Sequence, residues 1–350
     1  MAALIPQRQG QRGAALLMAM VIVTVVATIA SSMVWQQWRA VQVESAERGR
    51  QQLEWLLVGA LDFSRLILKD DGSLIRTDGT PEPTNLGQNW AKSLKETRLS
   101  AFLSVDKDNT DDAPDAFLSG QVADMNARYN LRNVIDMTAT PAPKVDPAQV
   151  VILQTLFTSI RDVPPTLATQ IADALEKATL AALNTNAAFT ALGGSASNLA
   201  SAPLMPQKLD QLRWLLPSLD AATIERIRPY VTLLPFSQTI GGSSTVNPNT
   251  APKEVLAAVL GIDLATAERL VQYRQREYFK DLNVVQQQAA LSTAPGGLEV
   301  NSLYFEVTGT LRLENQIMKQ RSLVKRSGTG RQMEVVVMSQ ELFSGVDPGK

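Results

Sequence analysis

With neither cysteine nor histidine among its 350 residues, this chain has few groups that could do chemistry. Thiolate nucleophiles, imidazole bases, disulfides and Cys/His zinc sites are all excluded. Carboxylates, serine, lysine and oxygen-ligand metals remain. The acidic run Asp106-Lys107-Asp108-Asn109-Thr110-Asp111-Asp112-Ala113-Pro114-Asp115 gathers the oxygen ligands that calcium prefers. It lacks the glycine and the closing glutamate of an EF-hand loop. A solvated acidic hairpin loop fits it better. No nucleophile–base constellation is visible, so no residue is assigned a catalytic role.

A second candidate is Leu260-Gly261-Ile262-Asp263, set between two short helical stretches and followed by Ala267–Tyr273-Arg274. It resembles a helix-hairpin-helix, whose hairpin N–H groups grip phosphates. The usual core is G-I-G. Here Asp263 puts a carboxylate where a phosphate would lie. Arg269, Arg274, Arg276 and Lys280 are near, but so are Glu254, Glu268, Glu277 and Asp281. Net charge is −1, from 33 basic and 34 acidic residues, so the chain has no global pull toward nucleic acid. A hairpin used for packing is the favoured reading. A membrane-anchored DNA-binding protein is the alternative.

These groups hang from an anchor. Ala14–Trp38 holds no charged residue. At ~1.5 Å per residue, a helix of that length crosses a hydrocarbon core of about 30 Å. Arg8 and Arg12 precede it, and positive charge holds a short flank in the cytoplasm. No clear small-x-small cleavage site follows the apolar core before Trp35. A basic leader ending at Gly13 and abutting Ala14 resembles the type IV prepilin and pseudopilin leader, which is cut after the glycine. An uncut signal anchor remains open beside it.

The helix is expected to continue to Leu68, about 80 Å at ~1.5 Å per residue, because no proline falls between Pro6 and Pro81. Leu53, Leu57, Ala60, Ser64 and Ile67 recur on one face. They are read as the stripe that packs the helix, including against neighbouring subunits.

Beyond it, Asp70–Asn89 reads as a loop, and strands are expected near Ser100–Val105 and Phe117–Ala123. Asp146 is expected to cap a helix with Pro147 at its first position and Gln149 completing a capping box. Pro164-Pro165 ends it. Leu167, Ile171 and Leu175 start the next. Leu209–Leu215 and Ala221–Val231 read as short helices, the latter capped by Asp220. Gly261 supplies a left-handed turn, and Asp263 can cap the helix that follows it. Phe305 to Leu313 alternates with period two, and Ser322–Lys325 and Met333–Met338 add strands across the turn Ser327–Gly330. The order predicts an α+β head with a helical insertion.

In this order the pieces resemble the type II secretion minor pseudopilin K family. The most specific are Arg128-Tyr129-Asn130-Leu131-Arg132-Asn133, similar to the family's R-F-N-L-N-N, and Asn247-Pro248-Asn249-Thr250-Ala251, similar to its N-V-N-T-A. The resemblance implies a pilin-type transmembrane helix, an antiparallel pilin-like sheet and an inserted all-α domain containing the hairpin. It implies a leader over 1–13, a membrane span over 14–38 and the periplasmic part of the helix over 39–69. It further implies head segments over 70–143 and 291–350, and an inserted domain over 144–290. A non-enzymatic subunit at the tip of the periplasmic pseudopilus is implied, anchored once in the inner membrane. Minor pseudopilins I and J, other pseudopilins and prepilin peptidase are its implied partners, with no nucleic acid.

The fifth residue after Gly13 is Met18, where most pseudopilins carry the glutamate that the K subunit lacks. A carboxylate at membrane depth costs ~2.5–3.5 kcal/mol unless paired. The family's acidic calcium-like run has no match here. The corresponding Ile171–Ala178 offers only Asp173 and Glu176, so no cofactor is expected, and calcium stays open as the alternative.

Overall fold

Apolar spacing without proline makes one helix, α1, over Arg12–Ser73. The structure, a computed structural model, describes residues 12–98, 116–183, 204–236, 244–313 and 316–346. The chain divides into two units, Met1–Val58 and Gly59–Lys350. In the first, α1 presents Leu17, Val26, Met33 and Trp38 to the outside. Its apolar window has a mean hydropathy of 2.4, long and apolar enough to cross a membrane. Leu53 and Leu57 are buried.

In the second unit α1 runs past Leu68 to Ser73, further than the loop expected from Asp70. Asp71 explains the extension. It is buried, and its Oδ2 accepts from the Trp90 N–H at 2.8 Å, so the acid serves as an anchor and not as a turn former. Among the described residues the sheet has five strands: β1 (Leu94–Arg98), β2 (Ala116–Asp124), β3 (Tyr304–Leu313), β4 (Gln316–Ser327) and β5 (Glu334–Val346). They pair in that order, each antiparallel to its neighbour. Leu61 and Leu68 of α1 pack with Trp90, Phe305, Val307, Val324 and Val335, and Ile67 sits against the same cluster. Trp90 meets Phe305 edge to face at 5.2 Å, a geometry that aromatic quadrupoles favour.

β4 and β5 are longer than the alternating apolar runs alone predicted. Their inward positions are often polar, as in β4 with Gln320, Ser322 and Arg326. The strand expected near Ser100–Val105 and the acidic run 106–115 lie outside the described residues.

Residues 125–303 intervene between the paired strands β2 and β3. They form a helical block: α2 (Pro147–Ser159), α3 (Thr166–Ala182), α4 (Leu212–Leu215), α5 (Ala221–Ile227), α6 (Lys253–Leu260), α7 (Leu264–Arg276) and α8 (Leu282–Gln288). Leu153, Leu156, Phe157, Ile171, Leu175, Val255, Leu256 and Leu270 join one core; each such buried side chain contributes roughly 1.5–3 kcal/mol. Asp146, Asp220 and Asp263 cap as expected, accepting from Ala148, Thr223 and Thr266 N–H groups. Gln149 does not close a capping box. Its Oε1 accepts from the Tyr129 hydroxyl at 2.9 Å. Gly261 is left-handed at φ 64°, ending α6 as its sequence predicted.

Candidate functional site

The most concentrated polar chemistry lies where the helical block leaves and rejoins the sheet. Asp124 ends β2 and is 5% exposed. Its Oδ2 accepts from the Thr250 hydroxyl at 2.5 Å and the Ser302 hydroxyl at 2.6 Å, and its Oδ1 from the Asn126 N–H at 2.8 Å. Asn247 Nδ2 donates to the Ser302 hydroxyl and to the Thr84 carbonyl, at 2.8 and 3.0 Å. Asn126 Oδ1 accepts the N–H groups of Leu303 and Tyr304, both at 3.0 Å. Arg326, at the end of β4, donates to the Thr84 hydroxyl and to the carbonyls of Ser302 and Leu68.

Burial pushes the Asp124 carboxyl up, against the hydroxyls of Ser302 and Thr250, the Asn126 N–H and the Arg326 charge. Burial likewise lowers Arg326 to about 10, while Asp124 and Asp71 oppose the shift. Gly72 makes room for this arginine, since a Cβ there would stand 2.7 Å from the Arg326 Cδ. The network joins the end of α1, the segment at Thr84, β2, the 247–250 loop, Ser302 and β4. It contains no nucleophile poised beside a base. Its work is to satisfy buried polar groups at a junction.

The two sequence motifs extend this junction. Asn130 exchanges amide hydrogen bonds with the backbone of Leu234, as Asn133 does with Ser244 and Asn249 with Phe279. Each side chain mimics a strand partner for a loop that has none. Tyr129 is buried, which raises its phenol well above the usual range. Arg132 donates to the Pro206 carbonyl at 2.9 Å and lies over Phe236. Arg128 alone of this run turns to a cleft beside the sheet.

Sequence reasoning missed Thr84, Gly72, Ser302 and Arg326. The available signal was the inward register of β4, where polar Gln320, Ser322 and Arg326 alternate with Met318 and Val324.

The hairpin is built otherwise than a phosphate grip. The Asp263 carboxylate accepts from the Thr266 N–H at 2.9 Å and the Thr266 hydroxyl at 2.8 Å. Those bonds hold its pKa down. Arg274 faces inward, donating to the carbonyls of Pro248 and Ala251 at 2.7 and 2.6 Å, and burial lowers it to about 10. Lys253 pairs with Glu268, and Lys280 with Glu277. Arg269 donates to Thr266. These cations are spent locally, which disfavours the nucleic-acid reading.

The residues of the helix stripe fall in both units of the chain. Leu53 and Leu57 are buried, Ala60 and Ser64 are half-buried, and Ile67 packs on the sheet core. Leu61 and Leu68, one residue on from Ala60 and Ile67, belong to that same sheet core. Trp55 and Leu66, on the opposite face, are 75% and 54% exposed.

Ala14 and Met18 are exposed on α1, while residues 1–11 lie outside the described residues. Glu176 accepts from the Val145 N–H at 3.2 Å. Among the described residues no group of three or more Asp or Glu could hold a metal ion.

Two family models, both described as "Type II secretion system (T2SS), protein K", match residues 127–236 and 246–307. Type II secretion system protein K of Pectobacterium carotovorum subsp. carotovorum is 26% identical over 97% of this chain and 100% of its own length. That of Dickeya chrysanthemi is 27% identical over 97% and 99%, and that of Pseudomonas aeruginosa 25% over 97% and 95%. Among solved structures, a chain of the GspK-GspI-GspJ complex from the enterotoxigenic Escherichia coli type 2 secretion system superposes with a TM-score of 0.60. The match covers 85% of this chain and 98% of that one at 19% identity, a likeness of fold.

Proposed function

This chain belongs to the type II secretion system protein K family, and we propose that it is a non-enzymatic minor pseudopilin. In this reading it assembles with minor pseudopilins I and J at the tip of the periplasmic pseudopilus, where it initiates or caps the fibre during protein export. One observation carries the reading. An apolar membrane-length helix leads into a five-stranded antiparallel sheet, and residues 125–303 are inserted between two paired strands. A head enlarged in that way obstructs axial stacking above it.

The anchor supports the same reading. With Arg8 and Arg12 before the span, the N-terminus stays cytoplasmic and the head is periplasmic. Prepilin peptidase would cut after Gly13, leaving Ala14 first and Met18 fifth. Met18 offers no carboxylate to the amine of a subunit ahead of it, as suits a subunit with none ahead. Packing against neighbouring subunits falls to the stripe Leu53, Leu57, Ala60, Ser64 and Ile67, and Trp55 and Leu66 are exposed on the opposite face.

Three measurements test this. N-terminal sequencing of the membrane-bound protein should start at Ala14. The protein should co-purify with I and J from a membrane extract. Overproduction with the major pseudopilin should shorten fibres. Labelled protein spread evenly along fibres would defeat the capping role.

A further inference from the structure

A polar cleft opens between the sheet and the helical block. It encloses about 140 Å³ and is lined by Arg128, Arg228, Arg321 and Lys208, with Asp210, Glu306 and Glu341. Most of these charges are matched. Arg228 pairs with Asp210 at 2.6 Å and with Glu225 at 2.7 Å, and Lys208 with Glu341 at 2.5 Å. Arg321 stands 3.8 Å from Glu306, an ion pair too long for a hydrogen bond, and its buried Nε has no partner among the described residues.

Arg128 is the remaining cation. Among the described residues its guanidinium has neither a hydrogen bond nor an ion pair. Burial lowers its pKa, Glu306 opposes the shift, and Arg228 adds to it. It stays charged, because a guanidinium does not lose its proton in proteins. A half-buried, charged, unpaired fork facing an open cleft is costly unless something answers it.

We propose that this cleft binds a carboxylate through the Arg128 guanidinium. A carboxylate fits better than a phosphate. Four cations and three carboxylates line the cleft, leaving a single net positive charge. A dianion would be repelled by Asp210, Glu306 and Glu341, whereas a planar monoanion accepts two parallel N–H bonds from one guanidinium. The carboxylate comes either from a small organic acid or from an acidic side chain of another polypeptide. The inference stands apart from the capping role, since it rests only on the cleft.

The test uses the purified full chain in detergent at constant ionic strength. The probes are sodium acetate, a short blocked peptide with one glutamate, and the same peptide with glutamine; sodium chloride is the control. Acetate or the glutamate peptide should shift the melting temperature saturably, and the glutamine peptide should not. Arg128→Gln should weaken that binding at least tenfold, and Arg128→Lys should recover part of it. Tighter binding of the peptide than of acetate identifies a polypeptide source. Equal or weaker binding identifies a free acid. Either upholds the site. If Arg128→Gln does not fold, modification of Arg128 by phenylglyoxal in the wild-type protein, read by mass spectrometry, replaces it. The carboxylate probes should slow that modification several-fold, and chloride should not. No saturable shift, an unchanged response in Arg128→Gln, or no protection of Arg128 overturns the proposal.

Discussion

Asp124 at the sheet–block junction and Asp263 at the α6–α7 hairpin make the same kind of contacts with opposite results. Each accepts from a threonine hydroxyl and from a backbone N–H, at 2.5 and 2.8 Å for Asp124 and at 2.8 and 2.9 Å for Asp263. Asp124 has a serine donor as well. Yet its pKa is raised, with burial the leading cause, and that of exposed Asp263 is lowered, with the Thr266 N–H leading. Hydrogen bonds of equal quality do not decide the sign. Desolvation does, because the charged form of a carboxyl deprived of water loses more than a few donors return.

The largest effect should come from deleting the buried acid. Asp124→Ala strands the Thr250 and Ser302 hydroxyls and the Asn126 N–H in the interior, and unfolding in urea should show a loss of about 3 kcal/mol or more. A loss no greater than that of Asp263→Ala would break the comparison.

Asn249→Ala sharpens it by leaving both carboxylates in place. It removes the paired bonds to the Phe279 backbone, and should cost about 2 kcal/mol by the same measurement.

The pH dependence separates the two acids directly. A raised pKa means that the Asp124 contribution is full below the unfolded value of about 3.9 and is lost as pH rises through the folded value. The stability of wild type relative to Asp124→Asn should therefore fall from pH 4 upward. A lowered pKa means that the Asp263 contribution is present above about 3.9 and is lost as pH falls. Wild type should lose its advantage over Asp263→Asn below pH 4. Parallel slopes would refute the role given to burial.

The smallest expected effect is on nucleic acid. Asp263→Gly restores the glycine of a G-I-G hairpin. Because Arg274 is turned inward and Lys253 and Lys280 are paired, the variant should still give no gel shift with duplex DNA at physiological salt. A salt-sensitive shift would reopen the DNA reading.

Local features were legible because their causes are local. A cap needs one side chain and the next few N–H groups, so Asp146, Asp220 and Asp263 could be read in advance. The left-handed Gly261 and the alternation from Phe305 to Leu313 are of the same kind. Gln149 shows the limit. Its spacing suited a capping box, but the Tyr129 hydroxyl, twenty residues away in sequence, holds its side chain instead. Asp71 failed in the same way, since an acid near a glycine reads as a turn until the Trp90 N–H claims it.

By itself the sequence determined the membrane-length helix, the lack of thiol and imidazole chemistry, the order of helices and strands, and the family motifs. Those follow from composition, periodicity and short-range hydrogen bonding. Only the tertiary structure decided what the motifs do. It showed that Asn130, Asn133, Asn249 and Asn247 stitch loops to distant backbone, that Arg326 closes the junction around Asp124, and that Arg128 faces a cleft with no partner among the described residues. It also set Leu61, Ile67 and Leu68 against the sheet core. The physical reason is that burial and partner identity belong to the packed whole. A side chain's charge and donors are written in the sequence, but the water it loses and the groups it meets depend on residues up to hundreds of positions away.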